Sequence, residues 1–485
     1  MKLHIYTSSL LIIAHVIIII SLSLRVIMKR RPVGVSLAWL VLIFMLPFAG
    51  ALLYLFVGER RLGRKRVERE RLLSGLLEDW LRTLPEESRV QIEHLSPQAA
   101  PISHLVEGTI GMPAMAGNEL RLLEDAESIL RSMIDDIERA RDSCHMEFYI
   151  WNEGGTADQV CEALIRASKR GVACRVLVDA VGSAKFLKGA FPGRFRDNGI
   201  ALVEALPVGP MRTVFVRPDV RLHRKIAVLD SRVAYTGSLN LVDPRFFKQE
   251  AGVGQWVDAM ARVEGPAVQG LEALFSWDWE MESGQRIHAP REQDPLGEST
   301  HRGAAAIQVV PSGPGDETDR IHRLMLTTVY AAQRELMMTT PYFVPDDALM
   351  SALLSAAQRG VEVTIILPEK IDSLLVRYAC RSYFDDLLSA GVRILRFQRG
   401  LLHTKSITVD GEIALFGTVN LDMRSFWLDY EVTLCVYDKG FAASLRVLQQ
   451  KYAEKSRPVG LDVWRKRPLR ERFIENVAQL FSPLL

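Results

Sequence analysis

Two short stretches of the chain carry side chains whose types and spacing suit one chemistry. "RLHRKIAVLD" from Arg221 holds His223, Lys225 and Asp230, and "LLHTKSITVD" from Leu401 holds His403, Lys405 and Asp410. Side chains two apart on an extended segment leave the same face, so each copy sets an imidazole beside an ammonium. Asp410-Gly411 is a tight-turn signal, and a return strand follows it. The return ends in Ser238 and Asn240 in the first copy, and in Thr418 and Asn420 in the second. A cation and neutral donors around an imidazole suit an oxyanion such as phosphate. One His-x-Lys pair is a weak signal. Two copies, each with an Asp after the Lys and a Gly-[Ser/Thr]-x-Asn beyond it, are not chance.

Displacing an alkoxide from a phosphodiester requires a nucleophile on one side and a proton donor on the other. Two histidines in one site supply both, and their titration belongs to the pair. Each ring also needs a partner for its second nitrogen. Glu250 in "FKQE" and Glu431 in "LDYE" stand at nearly equal distances beyond His223 and His403, and are the candidate orienting residues. Asp230 and Asp410 complete the motif, and their place at the turns fits holding the strand ends and the lysines. No H-E-x-x-H and no Cys/His cluster is present, and "PSGPGDE" lacks the Gly-Lys-[Ser/Thr] of a phosphate loop and reads as a turn. Neither a metal nor a cofactor is expected.

Elements that could position these residues repeat along the chain. "ASKRGVACRVLV" parallels "AAQRGVEVTIIL", and "FRDNGIALVEAL" parallels "LLSAGVRILRFQ". Helical periods alternating with apolar strands indicate an α/β fold with a mixed sheet flanked by helices. The expected organisation is a hairpin over 1–60, a basic linker over 61–110, and two similar domains over 111–285 and 304–485. A Pro-, Gly- and charge-rich linker over 286–303 separates the domains. The hairpin rests on two uncharged apolar runs, 5–24 and 34–57, each long enough to span a bilayer core of about 30 Å. A cleaved signal peptide would have a shorter apolar region and no second span. Basic residues follow the second run, from Arg60 to Arg71, and favour a cytoplasmic catalytic portion, although Arg25, Lys29, Arg30 and Arg31 in the intervening turn pull the other way. The net charge of +2 disfavours a nucleic-acid coating protein, and five scattered cysteines fit reduced thiols. "FYIW" and "TTPYFVP" either pack the core or line an acyl groove. The terminal "RERFIENVAQLFSPLL" is amphipathic, and either lies on a membrane or closes the domain.

The paired His-x-Lys-x4-Asp segments resemble the motifs of the phospholipase D superfamily. "TGSLNLVDPRFFKQEAGVGQW", "TTPYFVPDD" and "GLLHTKSITVDGEIALFGTVNLDMRSFWLDYE", with the hairpin and its "MKRRP" turn, are similar to the bacterial cardiolipin synthases within it. The resemblance covers essentially the whole chain. It implies two tandem phospholipase D-like domains in pseudo-twofold relation behind a transmembrane hairpin in the bacterial inner membrane. It also implies joining of two phosphatidylglycerols into cardiolipin and glycerol, without nucleotide or metal, through a phosphatidyl-histidine. By the same resemblance His223 is the nucleophile and His403 the acid and base, although the symmetry allows exchange. Lys225, Lys405, Asn240 and Asn420, with Ser238 and Thr418, would hold the phosphate. The implied partners are phosphatidylglycerol, cardiolipin and the bilayer, not nucleic acid. The cassette itself leaves open a hydrolytic phospholipase D and a nucleic-acid phosphodiesterase.

Overall fold

The computed structural model describes residues 2–29, 33–58, 88–209, 217, 219–287, 303–314 and 319–482. Most of the basic linker, the centre of the interdomain linker, part of "PSGPGDE" and the last three residues lie outside the described set. The chain divides into two compact units, 1–67 with 208–219, and 68–207 with 220–485.

In the smaller unit, helix Lys2–Met28 is followed by Val33–Met45 and Pro47–Leu53. The second apolar run is therefore not one helix. Pro47 has no N–H to donate, so it opens a new helix instead of continuing the old one. Val26, Ile43 and Tyr54 pack together as this unit's small core. Among the described residues, no helix is long and apolar enough to cross a membrane.

The larger unit is built on a single 15-stranded sheet. Its first half uses β1 (Met115–Leu123), β2 (Ser143–Phe148), β3 (Ala173–Asp179), β4 (Ala201–Ala205), β5 (Lys225–Leu229), β6 (Val233–Gly237) and β7 (Met260–Glu264). The second half uses β8 (Ala305–Ser312), β9 (Glu335–Thr339), β10 (Glu362–Pro368), β11 (Arg393–Phe397), β12 (Ser406–Val409), β13 (Ile413–Gly417) and β14 (Glu431–Tyr437), with β15 (Ser456–Pro458) at the outer edge. Outward from the centre the order is β1, β7, β6, β5, β2, β3, β4 on one side and β8, β14, β13, β12, β9, β10, β11, β15 on the other. Every strand of the first copy thus has its counterpart seven strands later, which is the pseudo-twofold arrangement. β2, β3 and β4 run parallel, as do β9, β10 and β11, while the inner strands are antiparallel. The sheet is mixed, as the alternation of helices and strands requires.

The copies meet where β1 pairs antiparallel with β8, across a register break between Met115 and Asn118. A bulge leaves backbone groups unpaired, and the buried Asn118 satisfies them. Its Nδ2 donates to the carbonyls of Met115 (2.6 Å) and Ala305 (3.1 Å), and its Oδ1 accepts from the N–H of Ala267 (2.8 Å). One core cluster joins both copies, with Ile226, Val228 and Leu271 from the first packed with Ile307, Leu434 and Leu448 from the second. Part of the expected linker is also structural. Residues Ala99–Ile110 form a helix whose Ile102 and Val106 enter the second copy's core beside Ile321 and Leu324. All five cysteines are free and buried.

Candidate active site

Each His-x-Lys pair leads into a fully buried strand: Lys225 opens β5 and Lys405 directly precedes β12, while the histidines lie in the extended segments ahead of these strands, outside their own copy's ladders. The opposite copy pairs them instead. His223 N–H donates to the carbonyl of Tyr430 (2.9 Å), and Tyr430 N–H to that of Arg221 (2.9 Å). Likewise His403 N–H donates to Val257 (2.8 Å), and Leu401–Leu402 runs parallel to Trp256–Val257. Each histidine is thus held by main chain from the other half.

The orienting carboxylates cross over in the same way. Nδ1 of His223 lies 2.8 and 2.9 Å from the two carboxylate oxygens of Glu431, and Nδ1 of His403 lies 2.7 Å from Oδ1 of Asp258. Glu431 therefore serves the first copy's histidine, whereas equal distance along the chain pairs it with its own. Glu250 does not serve as an orienting residue. It is exposed in the short turn Gln249–Ala251, and Asp258 takes the equivalent place. The first copy's loop is longer, so counting residues from the histidine stops short of Asp258, which lies just ahead of β7.

Both lysines are buried, and each folds back onto its own histidine. Lys225 Nζ donates to the carbonyl of His223 (2.5 Å), and Lys405 Nζ to that of His403 (2.7 Å). Lys405 also lies 2.8 Å from Nε2 of His403, so it donates into that ring's lone pair while Nδ1–H faces Asp258. No such bond engages Nε2 of His223 among the described residues. Tyr149 meets the His223 ring edge-on at 4.9 Å, and Trp256 packs on His403 at 4.4 Å. "FYIW" divides where β2 ends at Phe148: Phe148 and Trp151 enter the core, while Tyr149 and Ile150 join Phe247, Trp256 and Leu401 in an apolar wall at the site.

Burial governs the site's electrostatics. Desolvation and then the Lys225 charge push the His223 imidazole well below its ordinary value. The same order of causes, burial then Lys405, takes His403 down to about 4. Burial brings Lys225 to about 8 and Lys405 to about 7, against opposing pulls from Glu431 and Asp258. Burial also drives the Glu431 carboxyl well above its usual range. It acts on Asp258 in the same direction, but there the charge and hydrogen bond of His403 prevail and hold the carboxyl low.

The remaining sequence candidates are placed elsewhere. Asp230, with φ +51°, accepts from the N–H groups of Arg141, Asp142 and Ser143 at 2.7–2.9 Å. Asp410, with φ +54°, accepts from Gln333, Arg334 and Glu335 at 2.7–3.0 Å. They staple the turns to the start of the neighbouring strand, β2 or β9, and each stands five residues, roughly 16 Å of extended chain, from its lysine. Neither belongs to the reacting cluster. Ser238 and Thr418 exchange hydrogen bonds with the backbone of Ala259 and Val432, the residues just after Asp258 and Glu431, and so hold the orienting carboxylates. Asn240 Oδ1 accepts from Ile150 N–H (3.1 Å), and the Oδ1 of Asn420 is buried with no hydrogen-bond partner among the described residues. Among those residues no group of three or more His, Cys, Asp or Glu side chains could hold a metal ion.

Two neutral imidazoles, one with an open Nε2 and one sharing a proton with an ammonium, can attack a phosphodiester and protonate its leaving oxygen. Comparisons with known proteins give the family. The family model described as "Cardiolipin synthase, PLD-like domain" matches residues 133–279 and 325–452, and "Phospholipase_D-nuclease N-terminal" matches 16–59. Cardiolipin synthase A from Escherichia coli O1:K1 / APEC is 46% identical over 478 residues, covering 99% of this chain and 98% of that protein. The protein of that name from strain K12 / DH10B matches to the same extent. Among solved structures, phosphatidylserine synthase from Haemophilus influenzae Rd KW20 shares the fold at a TM-score of 0.59 and 14% identity, over 79% of this chain and 98% of that one. With both copies matched and near-complete relatives at this identity, the chain belongs to the cardiolipin synthase family of phospholipase D-like proteins.

Proposed function

We propose that this protein is a phosphatidyltransferase that makes cardiolipin from two molecules of phosphatidylglycerol. The observation that carries the chemistry is the crossed pair of histidines, each oriented by the other copy's carboxylate, with Nε2 open on one and lysine-bonded on the other. The lipid class comes from the family and from the relatives' names.

In the first step the Nε2 lone pair of His223 forms the N–P bond. The bond from phosphorus to the glycerol oxygen breaks, and that oxygen takes the proton held between Lys405 and His403. Glu431 stabilises the Nδ1–H side of the phosphorylated imidazole. In the second step a hydroxyl of the second phosphatidylglycerol returns a proton to the His403–Lys405 pair and attacks phosphorus. The N–P bond breaks and His223 is restored. Lys225 and the Asn240 and Asn420 amides would hold the non-bridging oxygens. Water in place of the lipid hydroxyl would give phosphatidic acid, and the apolar wall of Tyr149, Phe247 and Trp256 favours exclusion of water. The amino-terminal unit anchors the enzyme to the inner membrane in this reading, with the two apolar runs as its spans and the catalytic unit in the cytoplasm. The two apolar runs and the family match over 16–59 support it.

The test uses purified full-length protein in detergent, labelled phosphatidylglycerol and EDTA, with His223→Ala as control. Equal amounts of cardiolipin and glycerol are expected from the native protein and none from the variant. Phosphatidic acid as sole lipid product would make it a hydrolase, and no turnover of any phospholipid would reject a lipid enzyme.

A further inference from the structure

The helix Leu469–Gln479 turns Glu471, Ile474, Glu475 and Ala478 toward the domain, with Ala478 joining the second copy's core. Glu475 is fully buried, in ion pairs with Arg381 (2.8 Å) and Arg467 (2.9 Å), and Glu471 pairs with Arg381 (3.0 Å). The apolar side faces out, with Leu469 79%, Phe473 69%, Val477 37% and Leu480 78% exposed. Spacings of four, four and three place these on one stripe. A helix that only closed the domain would bury that stripe and expose its charges. Here Glu471 and Glu475 anchor the helix through Arg381 and Arg467, and its largest hydrophobic side chains are presented.

The helix Leu374–Ser382 packs against Leu469–Gln479 and exposes Leu374 (63%). Lys466, Arg470 and Arg472 are exposed beside the stripe. An apolar stripe flanked by basic side chains complements an anionic lipid surface. A relay of contacts leads from the start of the helix Leu374–Ser382 to the catalytic site. Asp372, two residues before Leu374, accepts from Tyr342 Oη (2.7 Å) and pairs with Lys248 (3.3 Å). Lys248 Nζ lies 5.2 Å over Trp256, the ring packed on His403.

We propose that the stripe Leu469–Leu480, together with Leu374, is an interfacial platform that seats the catalytic unit on an anionic bilayer, so that lipid reaches the histidines from the membrane plane. The proposal rests on the lipid-transfer reading for its substrate, but not for its surface chemistry.

The test places one fluorophore on full-length protein in proteoliposomes. Because the native cysteines are buried, labelling of Phe473→Cys is selective, and Val447→Cys, an exposed valine on another helix, is the control. In vesicles of phosphatidylglycerol with brominated acyl chains, the label at 473 is expected to lose half or more of its emission and the label at 447 very little. Equal quenching at the two positions would overturn the proposal. So would a shielded but unquenched label at 473, which would mean that a second copy of the chain covers the stripe. In a separate arm, Phe473→Ser with Leu480→Ser should raise the phosphatidylglycerol density needed for half-maximal rate in vesicles several-fold, with turnover in detergent and the melting temperature preserved. An unchanged density requirement would count against the platform. Quenching at 473 in a protein that makes no cardiolipin would reject the proposed reaction and keep the platform.

Discussion

The hydrogen bond from Lys405 to Nε2 of His403 determines how this site can hold a proton. With His403 at about 4 and Lys405 at about 7, the pair carries its proton on the lysine near neutrality. Raising the pH through about 7 removes that proton, and with it the group that protonates the leaving glycerol. The kcat/KM profile, which reports the free enzyme, should therefore fall on its alkaline side with an apparent pKa near 7. Below that limb it should stay flat over a wide range, because His223 is held neutral far down in pH. Lys405→Arg keeps the charge but has no proton to give, since a guanidinium does not titrate in this range. The variant should lose roughly 10²-fold in kcat, the scale of one general acid, and its alkaline limb should move upward. A limb unmoved in the variant would assign it to another group. The histidines and lysines were legible from sequence because alternation on an extended segment is a local rule. Asp258 was not, because its contact with His403 is made between copies and the intervening loops differ in length. The cue was present in "VDAMARVE" beside "YEVTLCVY", where an acid sits at or just ahead of the last inner strand of each copy.

At the scale of elements, the site depends on short segments pressed together across the two halves. Leu401–Leu402 pairs with Trp256–Val257, and the approach just before them is closed by Gly254 (φ +80°) and Gly400 (φ +114°). A Cβ on Gly400 would stand 2.2 Å from the carbonyl oxygen of Gln255, which is backbone and cannot rotate aside. Its left-handed φ adds strain for any other residue. Gly400→Ala should therefore separate the two segments, displacing the backbone that fixes His403 and the ring of Trp256 against it. Because the segments lie outside the main sheet, the loss should fall on turnover, by about 10²-fold as expected for an ångström-scale misplacement, more than on melting temperature. Equal turnover in variant and wild type would show that this crossing does not position His403. The turn aspartates teach the converse. Asp230 and Asp410 are part of the motif by spacing, yet they bind three backbone N–H groups each and belong to the fold's local stapling. Motif membership in the sequence did not separate a reacting side chain from one that holds a turn.

On the scale of the whole molecule, the two copies are one catalytic unit and not two linked ones. Each provides one histidine and the acidic side chain that bonds the other's, and the central cluster buries apolar side chains from both. The repeat was plain in the sequence, and so was the alternation that implies a mixed sheet. The fusion at β1 and β8 was not, because a bulge stapled by one buried asparagine has no local pattern. This organisation makes a prediction about connectivity. A protease site inserted between Gln293 and Asp294 lets the chain be cut between the copies after folding. The shared core, the β1–β8 pairing and the crossed segments are all noncovalent and independent of that peptide bond. Cut enzyme should elute as one particle and keep most of its phosphatidyl transfer. Separated in urea and returned singly to buffer, neither half should turn over, since His223 then lacks Glu431 and His403 lacks Asp258. Refolding the halves together should restore activity in proportion to the reassembled particle. Turnover by the first half alone would break the argument, because it would mean that His223 finds both its orienting carboxylate and its proton donor within its own copy.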